Sequence, residues 1–211
     1  MPLTHYTDRH LVKLLATQTR RTDVTPYELS RSHVALGRFL AGELVERLTL
    51  GPCEIAHPQG KRTGWQVEAE EDISLLCFLR AGLYVADGVR EVLPRAPLFH
   101  VSPKRNEGLS APELAMLPDG RGRTFVVLDS VVNTGASLEP VLQQLQRQGA
   151  ARLFVLALVA PAETAARLAA AYPEVELLFA RVSDNQYVGQ GATDTGNRLF
   201  GTLPSPRRRS S

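Results

Sequence analysis

The chain has 211 residues, 44% of them hydrophobic and 22% charged, with a formal net charge of +2. Those fractions belong to a globular domain long enough for a full core, and so slight a charge selects neither nucleic acid nor a membrane as partner. No apolar run is long enough to span a bilayer, the two cysteines have no metal-binding spacing and the five histidines form no H-x-x-x-H pair.

Along the chain, Met1 to His5 lacks the apolar stretch of a signal peptide. With Cys53 and Cys77 read as reduced thiols, a cytoplasmic protein is expected. His10 to Thr17 predicts a short helix. Pro26 to Leu48 predicts a longer one, with apolar residues at helical spacing and Thr25 as N-cap ahead of Pro26. Together, residues 1–50 read as a helical N-terminal extension. Residues 51–70 are polar and fit a connection or a hairpin arm. Ile73 to Leu79 reads as a buried strand, Val85 to Leu93 as a helix stopped by Pro94, and Leu98 to Val101 as a short strand. A long polar loop is expected over 102–120. Then follow a strand from Phe125, a helix from Leu138 to Gln148, a strand from Leu153 to Val159, a helix from Ala162 to Ala171 and a strand from Val175 to Ala180. Strands alternate with helices and lack period-two patterning, which predicts an α/β fold with a parallel sheet covered by helices on both faces. The loops at 102–120 and 183–202 exceed ordinary connections and are expected to carry function. Residues 204–211, with Arg207, Arg208 and Arg209, read as a basic disordered tail.

Four segments carry chemistry. After the Phe125 strand come Asp129 and then Ser130-Val131-Val132-Asn133-Thr134-Gly135-Ala136-Ser137, leading into a helix. Backbone N–H groups of Thr134 to Ser137 at the positive end of a helix dipole make an anion site, most naturally for phosphate. Asp129 would repel a bare phosphate, so the ligand should also offer hydroxyls or a bound metal, as a phosphorylated sugar does. The nucleotide motifs G-x-x-x-x-G-K-[ST] and G-x-G-x-x-G are absent here. The competing reading is an ordinary strand, turn and helix in which Asp129 caps and Gly135 permits the turn. Arg80, at the carboxyl end of a central strand, suits pyrophosphate by paired hydrogen bonds, or else a salt bridge at the sheet edge. Lys104 and Arg105 offer a mobile cationic clamp, or else a solvated charge run. The glycine-rich segment Tyr187 to Arg198 can bring main chain against a small flat ligand, or else is a series of turns.

Arg80-Ala81-Gly82-Leu83, Arg105-Asn106-Glu107, the Asp129–Ser137 loop and the segment Tyr187 to Thr202 resemble, in order and spacing, the uracil phosphoribosyltransferase family. The pattern Tyr-Val-x-x-Gly-x-x-Asp-x-Gly-x-Arg-Leu-Phe-Gly-Thr is the most specific part, and the similarity covers nearly the whole chain up to residue 203. The resemblance implies a phosphoribosyltransferase-like domain with a base-covering hood over 183–203. It also implies transfer of the 5-phosphoribosyl group of phosphoribosyl pyrophosphate (PRPP) to uracil, giving UMP and pyrophosphate in pyrimidine salvage. By the same resemblance Arg80 and Arg105 serve the pyrophosphate, Asp129 the ribose hydroxyls, and Asn133, Thr134, Gly135, Ala136 and Ser137 the 5′-phosphate. Tyr187, Val188, Thr193, Asp194 and Thr195 border the base, and Asp194 also lies against PRPP. Mg2+ is expected to arrive with PRPP and not on direct protein ligands, Asp194 reaching it through water. A homo-oligomer is implied, and no membrane or nucleic-acid partner.

Two departures stand out. The family's Asp-Pro-Met-Leu-Ala-Thr-Gly is here Asp129-Ser130-Val131-Val132-Asn133-Thr134-Gly135, which keeps the acid and the Thr-Gly. The hood's usual Pro-Gly-Leu-Gly-Asp-Ala-Gly-Asp is here Gln190 to Asn197, so Thr193 and Thr195 add bulk and hydroxyls beside the base. One group in a pocket is worth about 1–3 kcal/mol of selectivity, so another nitrogen heterocycle is the alternative acceptor. A non-catalytic regulator that binds PRPP or a nucleotide is the rival from a different class.

Overall fold

Burial on both faces makes the central strands continuous apolar runs, and the computed structural model, which describes residues 2–185 and 189–202, lays them in one parallel sheet. In chain order the elements are β1 (Leu3–His5), α1 (His10–Arg20), α2 (Pro26–Val45), β2 (Leu50–His57), β3 (Gly60–Val67), β4 (Ile73–Phe78), α3 (Leu83–Arg90), β5 (Leu98–Val101), α4 (Ala111–Met116), β6 (Thr124–Val131), α5 (Leu138–Arg147), β7 (Arg152–Pro161), α6 (Ala162–Ala171), β8 (Val175–Ser183) and α7 (Thr195–Phe200). The sheet order is β1-β8-β7-β6-β4-β5, with every neighbouring pair parallel. β2 and β3 pair separately as an antiparallel hairpin, which decides between the connection and the hairpin arm.

Alternate residues of the central strands feed two apolar layers. On one face Leu75, Cys77, Val126, Leu128 and Leu156 pack with Leu36, Leu40 and Leu44 of α2 and Val85 and Val89 of α3. On the other, Leu76, Phe125, Val127, Val155 and Phe179 pack with Val141, Leu142 and Leu145 of α5 and Leu168 of α6. Thr25 and Glu28 start α2 by a reciprocal capping box, with Pro26 in its first turn. α2 and α3 approach so closely that each presents a glycine to the other. A Cβ on Gly88 would lie 2.1 Å from the Val34 carbonyl oxygen, and one on Gly37 2.3 Å from that of Val85. Since backbone cannot swing aside as a side chain can, Gly88→Ala should cost about 1–3 kcal/mol of overpacking. A lowered denaturation midpoint with an unchanged slope would report it.

The structure differs from the sequence reading in five places. β1, three residues long and too short to show a period, joins the sheet ahead of both N-terminal helices. α1 continues to Arg20. The expected loop over 102–120 contains α4, whose Ser110 and Glu113 form a capping box. Residues 183–202 hold a turn of 3-10 helix, Gly191–Thr193, and then α7. β6 also runs past Asp129 to Val131. Because Cys77 of β4 registers with Leu128 of β6, the parallel sheet sets Arg80 and Asp129 at the same edge.

Candidate active site

Asp129 stands at that edge with its Oδ1 accepting the Ser130 backbone N–H at 2.6 Å. Desolvation raises its pKa from 3.8 to about 7, opposed by the backbone N–H groups of Ser130 and Val131. The loop beyond it turns at Gly135, whose φ of 78° is a left-handed conformation that favours glycine. The outer side of the loop is tied down: Thr164 donates to the Asn133 carbonyl at 2.7 Å and Arg167 to the Thr134 carbonyl at 2.7 Å. Its inner side is open. Among the described residues no protein acceptor takes the N–H groups of Asn133, Thr134, Gly135 or Ser137. They border a cavity of about 200 Å³ that Phe78, Arg105 and Asp129 also line. Asn106 holds Arg105 over this cavity by donating its N–H to the Ala136 carbonyl at 2.7 Å. Lys104, the other half of the expected clamp, is an exposed residue 3.8 Å from Glu107 and lines none of these cavities.

A second cavity, of about 240 Å³, adjoins the first and shares Phe78, Asp129 and Ser137 with it; Arg80, Pro103, Asp194 and Gly196 are among its other lining residues. The Leu79–Arg80 peptide is cis. Arg80 donates to Asn197 Oδ1 at 2.8 Å and to Thr202 Oγ1 at 3.3 Å, lies 4.0 Å from Asp194 and sits over the Phe200 ring at 5.8 Å. Asp194 in turn caps α7 by accepting the Asn197 N–H at 2.7 Å. One arginine therefore both lines the cavity and fastens the hood to the sheet.

The third cavity, of about 470 Å³, begins at Val131, which it shares with the first, and runs under Thr193 and Thr195. Its wall includes a pair that the sequence reading missed. His33 of α2 is buried, with Nδ1 2.9 Å from the Leu29 carbonyl and Nε2 2.9 Å from Ser130 Oγ. A carbonyl can only accept, so Nδ1 carries the proton and Nε2 accepts from the serine hydroxyl. Burial lowers the His33 pKa to about 4, keeping the ring neutral. Its sequence signal was a histidine on the buried face of α2, where Ser30 and Ser32 are buried as well, together with serine where the family loop has proline. Tyr187 and Val188 lie outside the described residues, as does the Arg207–Arg209 tail.

Residues 6–202 match the model of the uracil phosphoribosyltransferase family. The chain belongs to that family. A uracil phosphoribosyltransferase of Lacticaseibacillus paracasei is 32% identical over 174 residues, covering 79% of this chain and 83% of that one. One from Staphylococcus aureus strain Newman is 30% identical over 209 residues, covering 96% and 100%. Among solved structures, the AQ2163 protein of Aquifex aeolicus superposes with a TM-score of 0.78 at 25% identity, over 95% of this chain and 99% of that one. Adenine phosphoribosyltransferase of Leishmania donovani shares the fold with a TM-score of 0.53 at 14% identity, over 85% and 83%. Among the described residues of this uracil phosphoribosyltransferase family member, Asp129, Arg105 and the Asn133–Ser137 loop share one cavity. Arg80, Asp129, Ser137 and Asp194 share the next, and Thr193 and Thr195 line the third. No helix there is long and apolar enough to cross a membrane.

Proposed function

We propose that this chain transfers the 5-phosphoribosyl group of PRPP to N1 of uracil, giving UMP and pyrophosphate. The observation that carries the reading is the meeting of three unlike cavities around Asp129 and Val131: a loop of free N–H groups, an arginine-lined recess and a deep, largely apolar chamber. PRPP and a flat base need those three surroundings, with the ribose at the junction. The C1–oxygen bond to pyrophosphate breaks, the N1–C1 bond forms and the N1 proton leaves. The intervening ribosyl group is oxocarbenium-like, so alignment and stabilisation of charge are the main tasks. In this reading the 133–137 N–H groups hold the 5′-phosphate and Asp129 accepts the ribose hydroxyls, its charge set against the developing cation. Arg80 and Arg105 stabilise the leaving pyrophosphate, while the Thr193–Thr195 main chain, with Tyr187 and Val188, reads the base.

Mg2+ fits the second cavity as a companion of pyrophosphate. Asp129 and Asp194 offer two carboxylates, and no described group of three or more ligating side chains forms a protein cage. Mg2+ commonly binds through one or two carboxylates, waters and substrate phosphates, and there it would neutralise the leaving charge. A cytoplasmic homo-oligomer completes the reading. It is supported by free Cys53 and Cys77 and by the exposure of Leu11, Leu14 and Tyr27 on the first two helices. The test is pyrophosphate release from PRPP and Mg2+ with uracil, cytosine, orotate, purines and pyridines. Release with uracil is expected, and silence with every base would overturn the reading.

A further inference from the structure

We propose that the acceptor site also takes, and prefers, a uracil-type ring whose edge remote from the attacking nitrogen carries an anionic arm, received by Arg20, Arg181 and Arg198. The inference rests on the phosphoribosyl-transfer reading and names the acceptor class of that same site. The third cavity is longer than a single ring requires. Val131, Val159 and Arg181 lie side by side on β6, β7 and β8, and all three line it. Two strand spacings separate its ends, about 10 Å between backbones. A pyrimidine seated at Val131 under Thr193 and Thr195 leaves the far end unfilled.

That far end is cationic and uncompensated. Among the described residues that line the cavity, Arg20, Arg181 and Arg198 are cationic and none is a carboxylate. Arg20 donates Nε to the Ala16 carbonyl at 3.2 Å, and Arg198 donates to the carbonyls of Thr19 at 3.1 Å and Arg21 at 2.5 Å. These bonds fix the guanidiniums without neutralising them. The Arg181 side chain is half-buried and has neither hydrogen bond nor ion pair among the described residues. Its pKa is lowered by burial and then by the Arg20 charge. A cation partly withdrawn from water beside a second one is better placed once an anion joins it. His33, the remaining titratable group on the wall, is neutral and bonded to Ser130, so it supplies no counter-charge. A carboxylate on a one- or two-carbon arm at ring carbon 5 would reach this end while N1 faces the ribose, and the Arg181 side chain covers the rest of the distance.

The experiment uses the full chain with PRPP and Mg2+ and compares uracil, 5-carboxymethyluracil and its neutral carboxamide, by pyrophosphate release and by calorimetric binding. The acid should be favoured over the amide by on the order of 10- to 100-fold, as expected for charge-assisted pairing. Arg181→Gln should bring that ratio close to one, and Arg20→Gln should reduce it; melting curves establish that each variant folds. Equal use of acid and amide by the unaltered chain, with uracil turned over normally, overturns this inference and leaves phosphoribosyl transfer standing. A preference that survives in folded Arg181→Gln and Arg20→Gln overturns the assignment of the arginines. Absence of pyrophosphate release with all three acceptors removes the reading on which the inference rests, and the inference with it.

Discussion

Asp129→Asn should lose nearly all turnover while melting at a higher temperature than the unaltered chain at pH 8. In the proposed reaction the carboxylate accepts two ribose hydroxyls. Hydrogen bonds to a charged group are worth about 1.5–3 kcal/mol each, so their loss corresponds to roughly 10²–10⁴-fold in kcat/KM. The amide keeps the shape and the bond from the Ser130 N–H, so the fold has no reason to fail. Stability moves the other way because of burial. The folded chain binds the Asp129 proton up to about pH 7, against 3.8 for an unperturbed group. Between those values the folded state holds more protons than the unfolded one, so this group's contribution falls as pH rises. His33 has the opposite slope: the unfolded chain protonates it below 6.5, the folded chain only near 4. Its contribution is therefore lost as pH falls from 6.5 to 4. The two slopes offset in the unaltered chain, and Asp129→Asn should unmask the second, giving a melting temperature that drops on acidification through that window. Rates should rise with pH through about 7 in the unaltered protein, as Asp129 ionises, and lack that limb in the variant. Turnover in the variant at the normal rate would remove Asp129 from the reaction.

Asp129 and its loop were legible in the sequence because the signal is local: an apolar run, an acid, and small residues ahead of a helix. The same holds for β4, β6, β7 and β8, whose two buried faces leave continuous apolar runs. Features without a local signal were lost. β1 is three residues whose place depends on pairing with β8. α4 is an exception: it has a local signal, the capping box Ser110-x-x-Glu113, but the polar residues around it obscured it. The cationic lining of the third cavity was out of reach. Arg20, Arg181 and Arg198 come from α1, β8 and α7, and only folding gathers them into one cavity. The family resemblance pointed to Thr193 and Thr195, which line the third cavity, but gave no sign of what lies behind them. Tyr187 and Val188 remain expectations outside the described residues.

Arg80 should be the other position of large effect, because it performs two tasks that substitution can separate. Arg80→Met removes the positive charge proposed to face the leaving pyrophosphate, and the forked bond to Asn197 and Thr202. Loss of a preorganised donor to developing charge costs on the order of 10²–10³ in kcat, and release of the hood should raise KM for the base as well. Arg80→Lys keeps the charge but not the planar fork, so it should recover part of kcat while KM for the base stays high. Asn197→Ala removes the 2.8 Å hood contact and leaves the guanidinium in place. It should weaken base binding and expose the hood to limited proteolysis, with less effect on kcat. If Arg80→Lys restored both constants, position 80 would need only a charge, and the tie between leaving-group recess and hood would be incidental. If Arg80→Met changed KM for the base alone, the arginine would be a hood anchor, and the pyrophosphate would depend on Arg105 and Mg2+.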